Sequence, residues 1–155
     1  MTRASSRMLG RNGAHAVLEG ATTMPARLDV IGLVVADMAR SLAFYRRLGL
    51  EAPAEAEQEP HVEISLPGGL RLAFDTEETI RSFDPDWTPP SGGDRMGLAF
   101  LMETPAEVDQ IYDELTSLGY EGYKKPWDAF WGQRYAIILD PDGIGVSLFA
   151  ANGAS

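Results

Sequence analysis

Apolar residues along the chain follow two kinds of spacing, and the order of these spacings occurs twice. The segment "LDVIGLVVAD" is rich in leucine and β-branched residues, which is typical of a strand. In the following segment, "MARSLAFYRRL", Leu42, Tyr45 and Leu48 recur at helical spacing. Asp37 is placed to cap this helix and Gly49 to end it in a left-handed conformation. The pattern therefore predicts a strand followed by an amphipathic helix.

Three short strand candidates follow: a segment around Leu50–Ala54, then "HVEISLP" and "LRLAFD". The pattern restarts at "RMGLAFLME", a further strand candidate. The segment "TPAE" then predicts a helix start, with Thr104 as N-cap, Pro105 at the first helical position and Glu107 completing a capping box. Gly119 ends this second helix, and three more strand candidates follow it: "EGYKKPW", "QRYAIILD" and "GVSLFA".

The two halves correspond in detail. Pro67 in "LPGGLRLAF" matches Pro141 in "DPDGIGVSLF", and Gly69 matches Gly143 at the same offset. A repeat of this kind indicates one supersecondary unit used twice. The sequence thus predicts an α+β fold of two tandem βαβββ modules. The predicted division is a flexible extension over 1–23 and a single domain over 24–155, with module one at about 26–76, a linker at about 77–94 and module two at about 95–151.

Composition excludes several classes of function. The chain has no cysteine, so disulfides, thiolate catalysis and cysteine-ligated metals are excluded. Its net charge of −10 argues against a nucleic-acid partner and favours a neutral or cationic small ligand, although a solubilising surface explains the same excess. No apolar run approaches the ~20 residues that span a bilayer, and residues 1–23 lack the apolar core of a secretory signal. A cytoplasmic protein without a membrane partner is expected.

The segments "LDVIGLVVADMARSLAFYRRLGL" and "WGQRYAIILDPDG" resemble the vicinal-oxygen-chelate superfamily, which includes glyoxalases, extradiol dioxygenases and bleomycin-resistance proteins. The resemblance covers about residues 26–150. It implies that the two modules form half-open, cup-shaped mixed sheets, the glyoxalase/bleomycin-resistance fold. Because this fold hosts several chemistries, the resemblance is much less specific for function than for fold.

Enzymes of the superfamily hold a divalent metal through histidine and acidic residues on the first and last strands of each module. The resemblance places these four positions on residues that are not metal ligands: Val30, Ala73, Gly97 and Ser147. Divalent metals require imidazole, carboxylate or thiolate donors. Only two histidines exist; His15 lies in the extension, and His61 is predicted to be a surface or edge residue. We therefore expect no metal and no cofactor, which favours a non-catalytic protein.

Small side chains at these four positions favour a retained pocket over a packed core. Strand alternation places Arg71, Ala73 and Asp75 on one face, and Ser147 with Phe149 on the face of another strand. Ligand pockets combine apolar walls with a few polar groups that set the orientation of the ligand. These five residues are therefore candidate ligand contacts.

The segment "KKPWDAFWGQRYA" contains two of the three tryptophans and is predicted to form two strands joined by a turn near Gly132. This places Trp127, Phe130 and Trp131 near the mouth of the cup, where a planar aromatic or quinonoid ligand can stack. The alternative for this segment is ordinary core packing.

The drug-sequestering members of the superfamily also lack the metal ligands, and the chain is most similar to its mitomycin-binding resistance proteins in "KPWDAFWGQRYA", "LRLAFDTEETIRSFDPDW" and "EAPAE". This resemblance implies a homodimer whose clefts use both subunits, and drug stacking on Trp131, with further contacts from Trp127, Phe130 and Tyr45. Helix packing is the alternative for Tyr45, and Trp87 is interpreted as a linker anchor. The predicted function is self-resistance by sequestration of a small planar or aromatic drug. The alternatives are a glyoxalase-fold enzyme that is metal-independent or has a displaced metal site, and a metabolite-binding protein of a biosynthetic cluster.

Overall fold

The strands and helices follow one another in the order that the sequence pattern predicts, with two exceptions: one predicted strand is absent, and the predicted linker contains a helix. The computed structural model describes residues 26–153. Its elements are β1 (Val30–Val35), α1 (Met38–Arg47), a 3-10 helix (Ala54–Gln58), β2 (His61–Ser65), β3 (Arg71–Thr76), α2 (Glu77–Phe83), β4 (Leu98–Leu101), α3 (Pro105–Ser117), β5 (Gly122–Ala129), β6 (Gln133–Leu139) and β7 (Gly145–Ala151). The predicted extension over 1–23 lies outside the described residues. Within them, each helix is too short or too polar to cross a membrane.

The strands form two mixed sheets. In the first, β3 lies in the middle, with β1 parallel on one side and β2 antiparallel on the other. In the second, the order is β4-β7-β6-β5, with β4 parallel to β7 and the other pairs antiparallel. The predicted α+β class with two half-open modules is confirmed.

Local signals at the ends of the helices act as the sequence predicts. The carboxylate of Asp37 accepts a hydrogen bond from the backbone N–H of Arg40 (3.0 Å), and the hydroxyl of Thr104 accepts one from the N–H of Glu107 (3.2 Å). Gly49 and Gly119 follow the ends of α1 and α3 at φ 99° and 102°. These left-handed values favour glycine because it has no Cβ.

The predicted strand around Leu50–Ala54 is wrong, because this segment is a loop that leads into the 3-10 helix. The guanidinium of Arg46 donates to the backbone carbonyls of Ala52 (2.9 Å) and Pro53 (2.8 Å) and to the carboxylate of Glu57 (2.6 Å). These bonds hold the chain against the end of α1, so module one has three strands where module two has four. The predicted linker also contains the short helix α2.

One hydrophobic core joins the two modules. Each sheet buries the face that packs against its helices, as Phe74 on β3 and Leu148 on β7 illustrate. The rings of Tyr45 on α1 and Phe100 on β4 lie 6.3 Å apart, so residues of both modules meet in this core. The opposite face of each sheet, called here the uncovered face, carries mostly exposed and half-buried side chains, such as Glu63 and Tyr135, which makes it available for ligands.

Buried hydrogen bonds, named here the Asp140 latch, tie the "DPDG" loop of module two to module one. The Tyr45 hydroxyl donates to Asp140 Oδ2 (2.8 Å), and Asp140 Oδ1 accepts from the N–H groups of Asp142 and Ile144. The carboxylate of Asp142 accepts from the Ser41 hydroxyl (3.1 Å). Burial raises the pKa of Asp140 above its usual value, and burial together with the Asp140 charge raises that of Tyr45, so the hydroxyl keeps its proton.

Candidate ligand-binding site

An aromatic surface covers the uncovered side of the second sheet. Alternation along β6 buries Ala136 and Ile138 on the helix side, which leaves Tyr135 on the other side. The strand register then places Trp127 of β5 opposite Tyr135, and Tyr135 opposite Phe149 of β7. Residues directly opposite one another on antiparallel strands share a face, so three aromatic rings from three strands form one row.

The turn between β5 and β6 extends this row. Gly132, at φ 90°, makes a tight turn that places Phe130 and Trp131 beside the row. The ring of Trp131 meets those of Phe130, Tyr135 and Trp127 edge-on, with centroids 5.0, 5.3 and 6.1 Å away. Phe130 is 96% exposed and Trp131 is 48% exposed. The aromatic face is defined here as Trp127, Phe130, Trp131, Tyr135 and Phe149.

Two polar side chains orient the rings of the aromatic face. Gln133 Oε1 accepts a hydrogen bond from Trp131 Nε1 at 2.8 Å, which fixes the rotation of the indole. Lys124 Nζ lies 4.8 Å from the ring centroid of Trp127, within the range of a cation–π interaction. Neither contact was expected from the sequence. Alternation alone could have placed Gln133 and Tyr135 on one side of β6, but not beside Trp131 and Trp127.

The structure brings together five of the nine predicted ligand contacts. Trp127, Phe130, Trp131 and Phe149 belong to the aromatic face, and Ser147 lies two residues before Phe149 on the same side of β7. The four remaining predicted contacts are Tyr45, Arg71, Ala73 and Asp75. They lie in the core or on the first sheet, which shares no pairing with the second sheet in the described residues.

Tyr45 and Ala73 are corrected by the structure. Tyr45 is fully buried in the core, where its ring packs against Phe44 and its hydroxyl belongs to the Asp140 latch. The alternative of helix packing is therefore the one observed. Ala73 is 4% exposed and lies on the middle strand between Gly32 and Glu63. Neither residue has the exposed surface that a ligand contact requires.

Arg71 and Asp75 belong to an ionic network on the uncovered face of the first sheet. The guanidinium of Arg71 contacts the carboxylates of Glu63 (2.5 Å) and Asp29 (2.6 Å). The imidazole of His61 lies between Asp75 (Nδ1–Oδ1 2.6 Å) and Glu63 (Nε2–Oε2 2.8 Å). Their charges are therefore engaged with neighbours. His61 is exposed on the edge strand β2, as predicted.

The imidazole of His61 is expected to titrate above its ordinary pKa of 6.5, because hydrogen bonds to Glu63 and then Asp75 favour the protonated ring. The resulting stabilisation is fully present below pH 6.5 and is lost as the pH rises through the raised value. NMR titration of the ring resonances measures this pKa, with His61→Gln to assign them. In Glu63→Gln the pKa should fall. A wild-type pKa at or below 6.5 would contradict the observed geometry.

The four positions that the resemblance assigns to metal ligands do not fit a metal. Val30 and Gly32 share one side of β1, and the parallel register places Ala73 beside Gly32. The hydroxyl of Ser147 is the only donor that the four assigned side chains supply. Across residues 26–153, no group of three histidine or acidic side chains could hold a metal ion. No chemical step is therefore derived through one.

A cavity of about 630 Å³ lies away from the aromatic face, between the linker and the strands β1 and β4. Of the predicted pocket residues, Gly97 lines this cavity. The aromatic face itself is an open surface, whereas the cavity is a recess, and the two are separate features. The aromatic face is the candidate ligand-binding surface, because its exposed rings offer a stacking surface for a planar ligand.

Comparisons with known proteins agree on one family. Residues 27–148 match the family model described as the glyoxalase/bleomycin resistance protein/dioxygenase superfamily. A glyoxalase/bleomycin resistance protein/dioxygenase family enzyme from Burkholderia phytofirmans is similar in structure, with TM-score 0.68, 18% identity and coverage of 81% of this chain and 99% of that one. A glyoxalase/bleomycin resistance protein/dioxygenase from Nocardioides is similar with a TM-score of 0.64 and 24% identity, and the match covers 92% of this chain and 95% of that one. A glyoxalase-related enzyme from Fulvimarina pelagi is similar with a TM-score of 0.65 and 22% identity, and the match covers 80% of this chain and 87% of that one. No curated protein matches the chain.

Proposed function

Because the chain belongs to the glyoxalase/bleomycin resistance protein/dioxygenase superfamily, we propose that it binds a planar aromatic or quinonoid antibiotic and confers resistance by sequestration. The superfamily contains both enzymes and drug-binding resistance proteins. The observation that carries the proposal is the aromatic face, which presents five rings on one side of a sheet. Exposed apolar patches on soluble proteins mark interaction sites.

The orientation of the rings supports stacking. The neighbours of Trp131 meet it edge-on, so they hold the indole in place and leave part of its surface open. Gln133 adds a hydrogen bond that fixes the same ring. A preorganised platform lowers the entropy lost on binding, which strengthens affinity for a rigid planar ligand.

Sequestration is favoured over catalysis by the chemistry of the side chains. The positions assigned to the metal carry one hydroxyl as their only donor, and the ionisable groups of the first sheet are paired with one another. The aromatic face provides contact surface and orientation, which are the requirements of a binding site. A drug held there is kept from its target without a bond being made or broken.

Mitomycin C is the first probe, because the sequence segments quoted above resemble those of resistance proteins that bind mitomycin. Isothermal titration of the full chain with and without EDTA is expected to show saturable binding that the chelator does not change. After denaturation of the complex, mass spectrometry should recover the drug unmodified. A modified product that accumulates over many turnovers would replace sequestration with catalysis, and the absence of binding to mitomycin C and a panel of other planar antibiotics would overturn the proposal.

A two-fold homodimer is part of the proposed function. The exposed apolar side chains include Leu101 on the outer strand β4, which is 70% exposed, and the outer strands leave backbone groups open to pairing. Sedimentation equilibrium at micromolar concentration is expected to give about twice the chain mass of 16.9 kDa. A monomer under these conditions would exclude clefts shared between subunits, while leaving the fold unaffected.

A further inference from the structure

We propose that the cavity between β1, β4 and the linker, named here the seam cavity, is a second small-molecule site that takes an organic cation with an apolar body. Its volume of about 630 Å³ lies within the range typical of ligand pockets, roughly 300–1,000 Å³. It is separate from the aromatic face and does not depend on the proposed function.

The walls of the seam cavity are mostly apolar. Trp87 of the linker lines one side, and Met96, Leu98 and Ile144 of module two line others. Arg81 holds Trp87 in place, because its guanidinium lies 5.3 Å from the Trp87 ring centroid and its Nε donates a hydrogen bond to the Trp87 carbonyl at 3.4 Å. The linker therefore forms an anchored wall, and the apolar side chains match an apolar ligand body.

Carboxylates outnumber cations around the cavity. Three acidic residues and one arginine line it: Glu77, Asp94, Asp142 and Arg95. Asp142 already accepts hydrogen bonds from Ala36 N–H and the Ser41 hydroxyl, and Glu77 is ion-paired with Arg81 at 3.3 Å. Asp94 accepts the N–H of Gly145 and makes no ion pair within residues 26–153, so it is the acid that remains to face a cation. An excess of negative charge around a recess attracts cations and disfavours anions.

Unpaired strand edges border the same recess. The carbonyl of Asp29 accepts a hydrogen bond from the N–H of Arg71, and every second residue of β1 after Asp29 likewise turns its N–H and C=O toward β3. Gly32 is not one of these residues, so its N–H and C=O point to the opposite, unpaired edge of β1. In the second sheet, the N–H of Met102 donates a hydrogen bond to the carbonyl of Phe149 on β7. By the same alternation, the N–H and C=O of Gly97 point away from β7, toward the unpaired edge of β4. In the described chain no pairing joins β1 to β4, so N–H and C=O groups of both edges are open to polar contacts from a ligand.

Gly32 provides a means of narrowing the cavity. A Cβ atom added at this position meets nothing within 4 Å, and its φ is not left-handed, so a valine is compatible with β1. The valine would add an isopropyl group at the wall of the cavity that Gly32 lines. Ser65→Val is the matched control, because Ser65 is an exposed strand residue of the same sheet outside the cavity lining.

The test uses tetraphenylphosphonium as the cationic probe and triphenylphosphine oxide as a neutral relative of similar shape, with affinities measured by isothermal titration at low salt. Wild type and Ser65→Val should bind the cation equally. Gly32→Val should weaken binding about tenfold or more, as overpacking of a filled pocket does. Asp94→Asn keeps the acceptor for the N–H of Gly145 and should lower affinity for the cation alone, about two- to fivefold.

Three results would overturn the proposal. One is the absence of cation binding by folded wild-type protein at about 1 mM probe. A second is unchanged affinity in both Gly32→Val and Asp94→Asn, with circular dichroism showing that both are folded. The third is loss of cation binding in Trp131→Ala, which would place the probe on the aromatic face. If Gly32→Val fails to fold, Asp94→Asn decides the outcome. Its affinity for tetraphenylphosphonium should fall while its affinity for triphenylphosphine oxide stays the same, and unchanged affinity for the cation would overturn the proposal.

Discussion

Replacing Trp131 by alanine is expected to weaken binding of the planar antibiotic by about five- to 150-fold, equivalent to about 1–3 kcal/mol, the range found for base stacking on aromatic side chains. The indole is half exposed and supports the open aromatic face, so the ligand loses its platform. The loss of stability should stay below the ~3–5 kcal/mol typical of a buried tryptophan. Isothermal titration and urea unfolding of the same preparation measure both effects.

Two further variants make the Trp131 result specific. Trp131→Phe should recover part of the affinity, because a smaller ring remains on the platform. Trp87→Ala removes a tryptophan from the linker, far from the aromatic face along the chain, and should leave affinity for the planar antibiotic unchanged. If Trp87→Ala and not Trp131→Ala abolishes binding, the drug occupies the seam cavity. A core-sized loss of stability in Trp131→Ala would show that this residue is mainly a packing residue.

Tyr45→Phe is expected to destabilise the protein by about 1.5–3 kcal/mol, the range for a hydrogen bond to a charged group. The substitution keeps the ring in the core and removes the donor that serves Asp140 Oδ2, leaving a buried carboxylate oxygen of the Asp140 latch without that partner. Urea unfolding followed by circular dichroism gives the free energy of unfolding. An effect near zero would show that the latch contributes nothing to the joining of the modules.

A matched control variant and the pH dependence of stability distinguish loss of the Asp140 latch from a general loss of core packing in Tyr45→Phe. Tyr112→Phe also removes a hydroxyl from a buried tyrosine, but this hydroxyl makes no hydrogen bond within residues 26–153 and its oxygen is accessible to solvent, so little stability should be lost. Burial holds the pKa of Asp140 above its usual 3.8, and loss of the tyrosine donor should raise it further. The loss of unfolding free energy in Tyr45→Phe should therefore be present while Asp140 is ionised, above its folded pKa, and should shrink as the pH falls through that pKa.

Local spacing determined much of the fold from the sequence. The caps at Asp37 and Thr104 and the stops at Gly49 and Gly119 depend on residues within one helical turn, so their chemistry is legible without tertiary information. The repeat of turn signals at a constant offset fixed the two-module architecture. The strand predicted around Leu50–Ala54 failed because Arg46 holds this segment through side-chain bonds to its carbonyls, and no local pattern encodes such a contact.

The sequence predicted only the part of the candidate site that is built from residues close together along the chain. The sequence determined that Trp127, Phe130 and Trp131 gather near one turn, because they are neighbours along the chain. Only the tertiary structure decided that β6 and β7 add Tyr135 and Phe149 to them, since strand register depends on pairing between distant segments.

The position of a side chain on a helix does not reveal which element covers it. The periodicity of α1 predicted one apolar face for Leu42, Tyr45 and Leu48, but whether the Tyr45 hydroxyl meets a ligand or a buried carboxylate depends on where the "DPDG" loop packs, about one hundred residues later. The seam cavity likewise exists only because the free edges of β1 and β4 face the linker in the folded chain. Spacing along the sequence thus determined the elements and their ends, whereas contacts between distant segments decided which surfaces are buried and which remain open to ligands.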